Sequence, residues 1–155
     1  MVLYFTCLSD PSIVIYMGKD KYENEELIKY AWPDRDVWFH VADLSSAHVY
    51  LRIPEGTKTL KEINPELVQE CAQLTKANSI DGSKKDRVGI NITWAKNLKK
   101  TKGMETGAVS YHTPSDVLYM KIETDKDMVK KLNKSKDEQY PDLKTCLEEY
   151  KASKM

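Results

Sequence analysis

The sequence predicts an α+β fold: one domain in which a mostly antiparallel or mixed sheet carries packed helices, with two further helices at the C-terminal end. Several segments alternate apolar and polar residues with the period of a half-buried strand. Others repeat apolar residues at helical spacing behind a capping residue. With 155 residues, of which 41% are hydrophobic and 31% charged, the chain is long enough to build one core.

The first third of the chain predicts a strand hairpin and a helix. Residues 1–8 and 12–17 are apolar runs separated by a Ser-Asp-Pro turn. Residues 22–31 follow at helical spacing, with Asp20 and Glu23 placed to cap the start. The first run lacks a basic leader and a small-residue cleavage site, which favours a strand over a signal peptide.

The middle of the chain predicts the rest of the sheet and its clearest helix. Alternation marks residues 36–41, 49–53 and 88–94, and shorter strands are expected at 107–111 and 117–122. Between them, Asn64 can accept a capping hydrogen bond and Pro65 suits the first helical position. An apolar stripe then continues that helix through Leu74.

The last segment predicts two amphipathic helices of balanced charge. Thr124 and Asp127 have the spacing of a capping box, and Pro141 precedes Leu143 and Leu147 at helical spacing. We therefore expect a monomer, or a weak dimer that pairs through these helices.

The formal net charge is zero, so the whole chain exerts no long-range attraction on phosphate. Locally, residues 81–102 carry seven basic and two acidic residues, an excess of five. Three scattered cysteines suit reduced thiols better than a disulfide framework, which predicts a cytoplasmic or nuclear protein. Low hydropathy predicts no membrane insertion.

Two patterns are candidate nucleic-acid contacts. Four lysines, Lys96, Lys99, Lys100 and Lys102, follow a strand ending at Trp94, in a loop that contains Gly103. If strands 36–41 and 49–53 are neighbours, one sheet face also gathers Trp38, His40, His48, Tyr50 and Arg52. That face is either a base-stacking platform or core covered by a helix, and the sequence leaves both open.

His40 and His48 also raise the question of a metal or catalytic site. No spacing supplies further metal ligands or a nucleophile held by a base, so a structural or recognition role is favoured. We expect no catalytic residue, no metal and no cofactor.

Several motifs resemble the NFACT-R family. They are Ile-Tyr-Met-Gly-Lys-Asp at 15–20, Asn24, Asp-Val-Trp-Phe-His at 36–40, His48, Cys-Ala-Gln-Leu at 71–74, Asn-Leu-Lys-Lys at 97–100 and Gly-Ala-Val at 107–109. The resemblance spans about residues 13–123. It implies an NFACT-R-like domain at 1–123, followed by C-terminal helices at 124–155 that begin a charged helical extension.

The resemblance implies nucleic-acid binding without catalysis, because NFACT-R domains occur in NEMF-type ribosome quality-control factors. The expected ligand is RNA resembling transfer or ribosomal RNA, and the expected partners are the ribosome or translation factors. Together the patterns and the resemblance predict contacts from Gly18, Lys19, Lys21, Asn24, Trp38, His40, His48, Tyr50, Arg52, Lys96, Asn97, Lys99, Lys100 and Lys102. The alternatives are DNA binding, a protein-interaction adaptor and, less favoured, a nucleic-acid enzyme using Asp36 and the two histidines.

Overall fold

The computed structural model describes residues 1–154 as nine strands and four α-helices joined by short turns. The strands are β1 Val2–Thr6, β2 Val14–Gly18, β3 Asp36–Val41, β4 Val49–Arg52, β5 Arg87–Trp94, β6 Leu98–Lys99, β7 Ser110–Tyr111, β8 Leu118–Glu123 and β9 Asp137–Gln139. The helices are α1 Lys21–Tyr30, α2 Pro65–Ala77, α3 Lys126–Asn133 and α4 Leu143–Ser153. The predicted α+β class is confirmed.

Seven strands form one sheet in the order β8-β5-β3-β4-β2-β1-β9, and β6 pairs with β7 in a separate ribbon. Every pair within the described residues is antiparallel. β1 and β2 form the predicted hairpin, while β4 inserts between β2 and β3. At the centre of the sheet, the pairs β2–β4 and β3–β5 therefore join strands that are not consecutive in the sequence.

Both faces of the central strands are covered, because the alternating side chains point to opposite sides. One face carries Val37, Phe39 and Leu51 and packs against α2 and α3. The other face packs against α1, α4 and the segment 95–111. The sheet therefore has a core on each side.

The C-terminal segment contributes to both cores. Leu132 of α3 is fully buried with the first core, and Leu143 of α4 packs against the second. Between these helices, β9 extends the sheet by pairing with β1, a strand that the sequence did not predict. All three β9 residues are polar and exposed, so they lack the apolar alternation that reveals a strand. The boundary at residue 123 stays a prediction.

Two local expectations are wrong. The strand predicted at 107–111 is limited to β7, and Gly107 has a positive φ of 85° that a strand residue does not adopt. The start of α3 is capped by Asp125, whose carboxylate accepts from the Met128 amide, instead of by Thr124. The Thr124 hydroxyl instead accepts a hydrogen bond from the Lys76 ammonium.

Candidate nucleic-acid interface

The aromatic face predicted from β3 and β4 exists, but it is not open to solvent. Trp38 pairs with Tyr50 across the two strands, so their rings share one face of the sheet. Trp38 is 1% exposed and Tyr50 0%, because α1 and the segment 95–111 cover them with apolar side chains such as Leu27 and Leu98. The alternative of a covered core is confirmed, and the expectation of an open base-stacking platform is wrong.

The two histidines lie at the end of this covered face. The Trp38 indole Nε1–H donates to His48 Nδ1 at 2.9 Å, and the His40 and His48 rings meet edge to face at 5.0 Å between centroids. Burial lowers the pKa of His48 to about 3, and it also lowers the pKa of His40. Both rings are therefore neutral near pH 7 and provide no charge to attract phosphate.

Arg52, also predicted to contact nucleic acid, binds an internal carboxylate. Its guanidinium donates twice to Asp36, at 2.8 and 3.0 Å, and stacks 3.6 Å from the Trp32 ring centroid. Tyr16 also donates its hydroxyl to Asp36. Burial opposes the charged form of Arg52, but the hydrogen bonds and charge of Asp36 outweigh it and hold the pKa above its ordinary value. This arginine stabilises the sheet face internally.

Lys100 fixes the loop that crosses this face. Its ammonium donates to the Glu25 carboxylate at 2.5 Å and to the carbonyls of Glu105 at 3.0 Å and Ala108 at 2.5 Å. The same Glu25 oxygen accepts from the Gly107 amide at 2.6 Å. Burial raises the pKa of Glu25, but these hydrogen bonds outweigh burial and leave it below its ordinary value. Lys100 is thus a clamp between the loop and α1.

Asn97 has a similar structural role. Its carboxamide donates to Thr93 Oγ1 and the Thr113 carbonyl, each at 3.0 Å, and accepts from the Thr113 amide at 2.8 Å. These bonds hold the start of the loop against the segment after β7. The Asn97 carboxamide therefore already has hydrogen-bond partners within the protein.

The remaining lysines of the loop are exposed. Lys96, Lys99 and Lys102 make no ion pair or side-chain hydrogen bond within residues 1–154, although the Lys96 ammonium lies 5.5 Å from the Trp94 ring centroid. Clamping by Lys100 holds the loop that carries them in place. We define Lys96, Lys99 and Lys102 as the basic loop surface.

A small cleft lies beside the clamp, at the start of α1. It has a volume of about 250 Å³ and is lined by Gly18, Lys19, Asp20, Lys21 and Asn24, together with residues 45–47, Asn78 and Ile80. Asn24 is 7% exposed, and its carbonyl oxygen has no hydrogen-bond partner within residues 1–154. A Cβ on Gly18 would come 2.6 Å from that oxygen, so a larger residue here would have to displace the Asn24 side chain. The structure therefore brings these four predicted residues together.

Two aromatic residues near these surfaces were missed by sequence reasoning. Tyr22 of α1 is 67% exposed and lies beside Lys21, whose ammonium is 5.3 Å from the ring centroid. An aromatic residue on the polar side of an amphipathic helix is a sequence signal that could have predicted its exposure. Trp32 is stacked between Arg52 and Tyr150, with the Tyr150 centroid at 4.0 Å. That stack depends on α4, which no local pattern places there.

Residues 1–154 contain no group of three or more His, Cys, Asp or Glu side chains that could hold a metal ion. Within the same residues, no helix has the length and apolar character needed to cross a membrane.

The fold and these surfaces define a small antiparallel α+β module with a clamped basic loop across one face of its sheet. Residues 1–113 match the model of the NFACT protein RNA binding domain. The chain is 50% identical over 145 residues to coiled-coil domain-containing protein 25 of Danio rerio, covering 92% of this chain and 69% of that protein. The chain belongs to the NFACT protein RNA-binding domain family, which confirms the resemblance.

More distant similarities agree with this assignment. The Rqc2 homolog RqcH of Bacillus subtilis is 27% identical over 127 residues, which are 82% of this chain and 20% of that protein. Among solved structures, the C-terminal part of the fibronectin/fibrinogen-binding protein from Streptococcus suis superposes with a TM-score of 0.68 and 22% identity. That superposition covers 83% of this chain and 48% of the other chain, and it supports the fold.

Proposed function

We propose that this chain is a non-catalytic RNA-binding domain that acts in ribosome-associated quality control. One observation carries the proposal: the basic loop surface presents three exposed lysines without ion-pair partners, on a loop fixed by the Lys100–Glu25 clamp. A loop backbone that is already held in place suits phosphate binding, because less conformational entropy is lost when its lysines contact the ligand. Family membership and the RqcH similarity favour RNA as the ligand.

The cleft at the start of α1 adds a second component to the proposed interface. Gly107 of the loop lies against Lys21, since a Cβ on Gly107 would come 3.3 Å from the Lys21 Cβ. The loop and the cleft are therefore adjacent. Lys19 and Lys21 line this cleft and suit phosphates, whereas the Asn24 carbonyl oxygen is buried against the Gly18 backbone and does not face a ligand.

The mode of binding follows from what is buried. Trp38 and Tyr50 have no exposed ring surface on which a base could stack. Contacts through phosphate fix position but carry no sequence information. We expect binding that depends strongly on salt and weakly on base sequence.

Replacing Lys99 and Lys102 by glutamate tests the proposal. Because two phosphate contacts are lost, the slope of log affinity for transfer RNA against log salt should become shallower by about 2. Lys100 stays unchanged, since its loss would release the loop from Glu25. Fluorescence titration over a range of salt measures the slope.

The matched control is Lys58→Glu with Lys61→Glu, which makes the same charge change at exposed positions elsewhere. A control variant that loses as much affinity would show a general charge effect and reject the basic loop surface. Tighter binding of DNA than of RNA of the same sequence would instead support the alternative ligand.

A further inference from the structure

A second basic surface lies along α3, on the face of the sheet opposite the basic loop surface. Lys126, Lys130 and Lys134 follow one another at intervals of four residues, so their side chains line one side of the helix. Each interval corresponds to a rise of about 6 Å along the helix. The three lysines therefore form a row of cations that turns gradually around α3 and ends at its C-terminal cap, Lys134.

This row borders an open groove with a volume of about 580 Å³. Ala77 at the end of α2 and Val129 of α3 form apolar parts of the wall, while Ser83 and Thr124 add hydroxyl groups. No carboxylate lines the groove. The three ammonium groups make no ion pair or side-chain hydrogen bond anywhere in residues 1–154.

A buried lysine behind the wall increases the positive potential of the groove. Lys76 is 1% exposed, and its ammonium donates to the Lys85 carbonyl at 2.7 Å and to Thr124 Oγ1 at 2.6 Å. None of its hydrogen-bond partners is a carboxylate. Because a buried charge is weakly screened, its field reaches the groove through Thr124, which lines it. An anion in the groove would compensate this charge.

We infer that this α3 groove binds the phosphodiester backbone of a single RNA strand, as a site separate from the basic loop surface. A strand fits better than an isolated phosphate, because three cations in a row match successive phosphates and the apolar wall suits the intervening sugars. The inference rests on the proposed function for the choice of RNA. The groove lies largely outside residues 1–113, which the family model matches.

The two surfaces are separable because the sheet lies between them. The α3 groove is formed on the side of α2, whereas the loop crosses the side of α1. A short strand in one site does not reach the other. Two short strands are therefore expected to bind per chain.

Amide chemical shifts of the full chain, titrated with a short oligouridylate, test the inference site by site. We expect shifts at Val129, Lys130 and Asn133 for the groove, and at Lys99 and Lys102 for the loop. In the variant K126E/K130E/K134E, the groove shifts should disappear while the loop shifts remain. The slope of log affinity against log salt for the groove corresponds to about 2 released counterions in the unmodified chain.

Two further variants make the result decisive. The variant K126Q/K130Q/K134Q removes the charges without adding repulsion within α3, and should also abolish the groove shifts if α3 stays folded by circular dichroism. The variant K58E/K61E/K144E carries the same charge change at exposed positions elsewhere, and its groove shifts should remain.

The possible outcomes distinguish the groove proposal from the basic loop surface. Loop shifts without groove shifts would overturn the inference and leave the proposed function standing. Groove shifts without loop shifts would support the inference and reject the basic loop surface, and the absence of both would overturn the two together. Groove shifts with an acidic peptide but none with RNA would also overturn it, since the partner would then be a protein.

Discussion

At the scale of single residues, burial changes the role of side chains that look suited to ligand binding. Trp38 and His48 have the chemistry of a recognition surface, yet they bind each other inside the second core. Lys100 has the charge to bind phosphate, yet it holds Glu25 and two loop carbonyls. In each case the internal partner comes from an element distant in sequence. Exposed neighbours such as Lys99 and Lys102 remain available to a ligand.

The neutral state of His48 makes stability depend on pH. Its pKa is about 3 in the folded chain against 6.5 in the unfolded chain, so acid favours unfolding between these values. We expect this group to lower the free energy of unfolding by about 1 kcal/mol per pH unit as the pH falls from about 6 to about 4. Urea denaturation at pH 6.5 and pH 5 measures the loss.

The variant His48→Gln is the comparison, because glutamine can accept from Trp38 but does not titrate. Its stability should fall less between the two pH values than that of the unmodified chain. His40 contributes a loss of the same sign in both chains, since burial lowers its pKa too. Parallel losses in the two chains would show that His48 does not set the pH dependence.

At the scale of elements, caps and edges decide where α3 and β9 lie. Asp125 accepts from the Met128 amide, which fixes the first turn of α3 one residue later than the capping-box pattern predicts. β9 has exposed polar side chains and is held by backbone pairing with β1 alone. Both features depend on neighbours: Lys76 occupies the Thr124 hydroxyl, and the free edge of β1 offers β9 its partners.

The cap assignment predicts a difference between two aspartates at the start of α3, Asp125 and Asp127. Asp125→Ala should lower the free energy of unfolding by about 1 kcal/mol, because an amide of the first turn loses its acceptor. Asp127→Ala, which removes a carboxylate from the same turn but no capping bond, should cost a few tenths. Urea denaturation of both variants makes the comparison. An equal cost would mean that Asp125 acts through its charge alone.

At the scale of the whole molecule, a sheet covered on both faces explains the division between structural and ligand-facing residues. The alternative of an adaptor requires apolar residues of the last two helices that are free to dock a partner, but Leu132 and Leu147 are buried within the same chain. Tyr150 likewise stacks on Trp32 and donates to Asp34 at 3.0 Å. The oligomeric state stays a prediction, and these contacts favour the monomer.

The participation of α3 in the main core predicts a large cost for one substitution. Leu132→Ala should lower the free energy of unfolding by about 3 kcal/mol, since it leaves a cavity at a fully buried site. Leu8→Ala, at a site 42% exposed, should change it by less than about 0.5 kcal/mol. Urea denaturation of each variant, compared with the unmodified chain, measures the two changes. A small cost at Leu132 would indicate that α3 folds apart from the sheet.

The sequence by itself determined the fold class, most strands and helices, the family and the candidate loop. Alternation and capping are local signals, and they located β3 and β5 within one residue and the start of α2 at Pro65. The basic character of the loop needed no structure either, since it is read directly from the spacing of the lysines.

Only the tertiary structure decided which predicted contacts are occupied internally. Burial of Trp38 and Tyr50 follows from α1 and the loop packing over β3 and β4, and the spacing of residues does not encode that packing. The same holds for the Lys100–Glu25 pair, which joins positions 75 residues apart, and for the groove between α2 and α3. Free energy from burial and ion pairing depends on which surfaces meet in space, and that is fixed only when the whole chain folds.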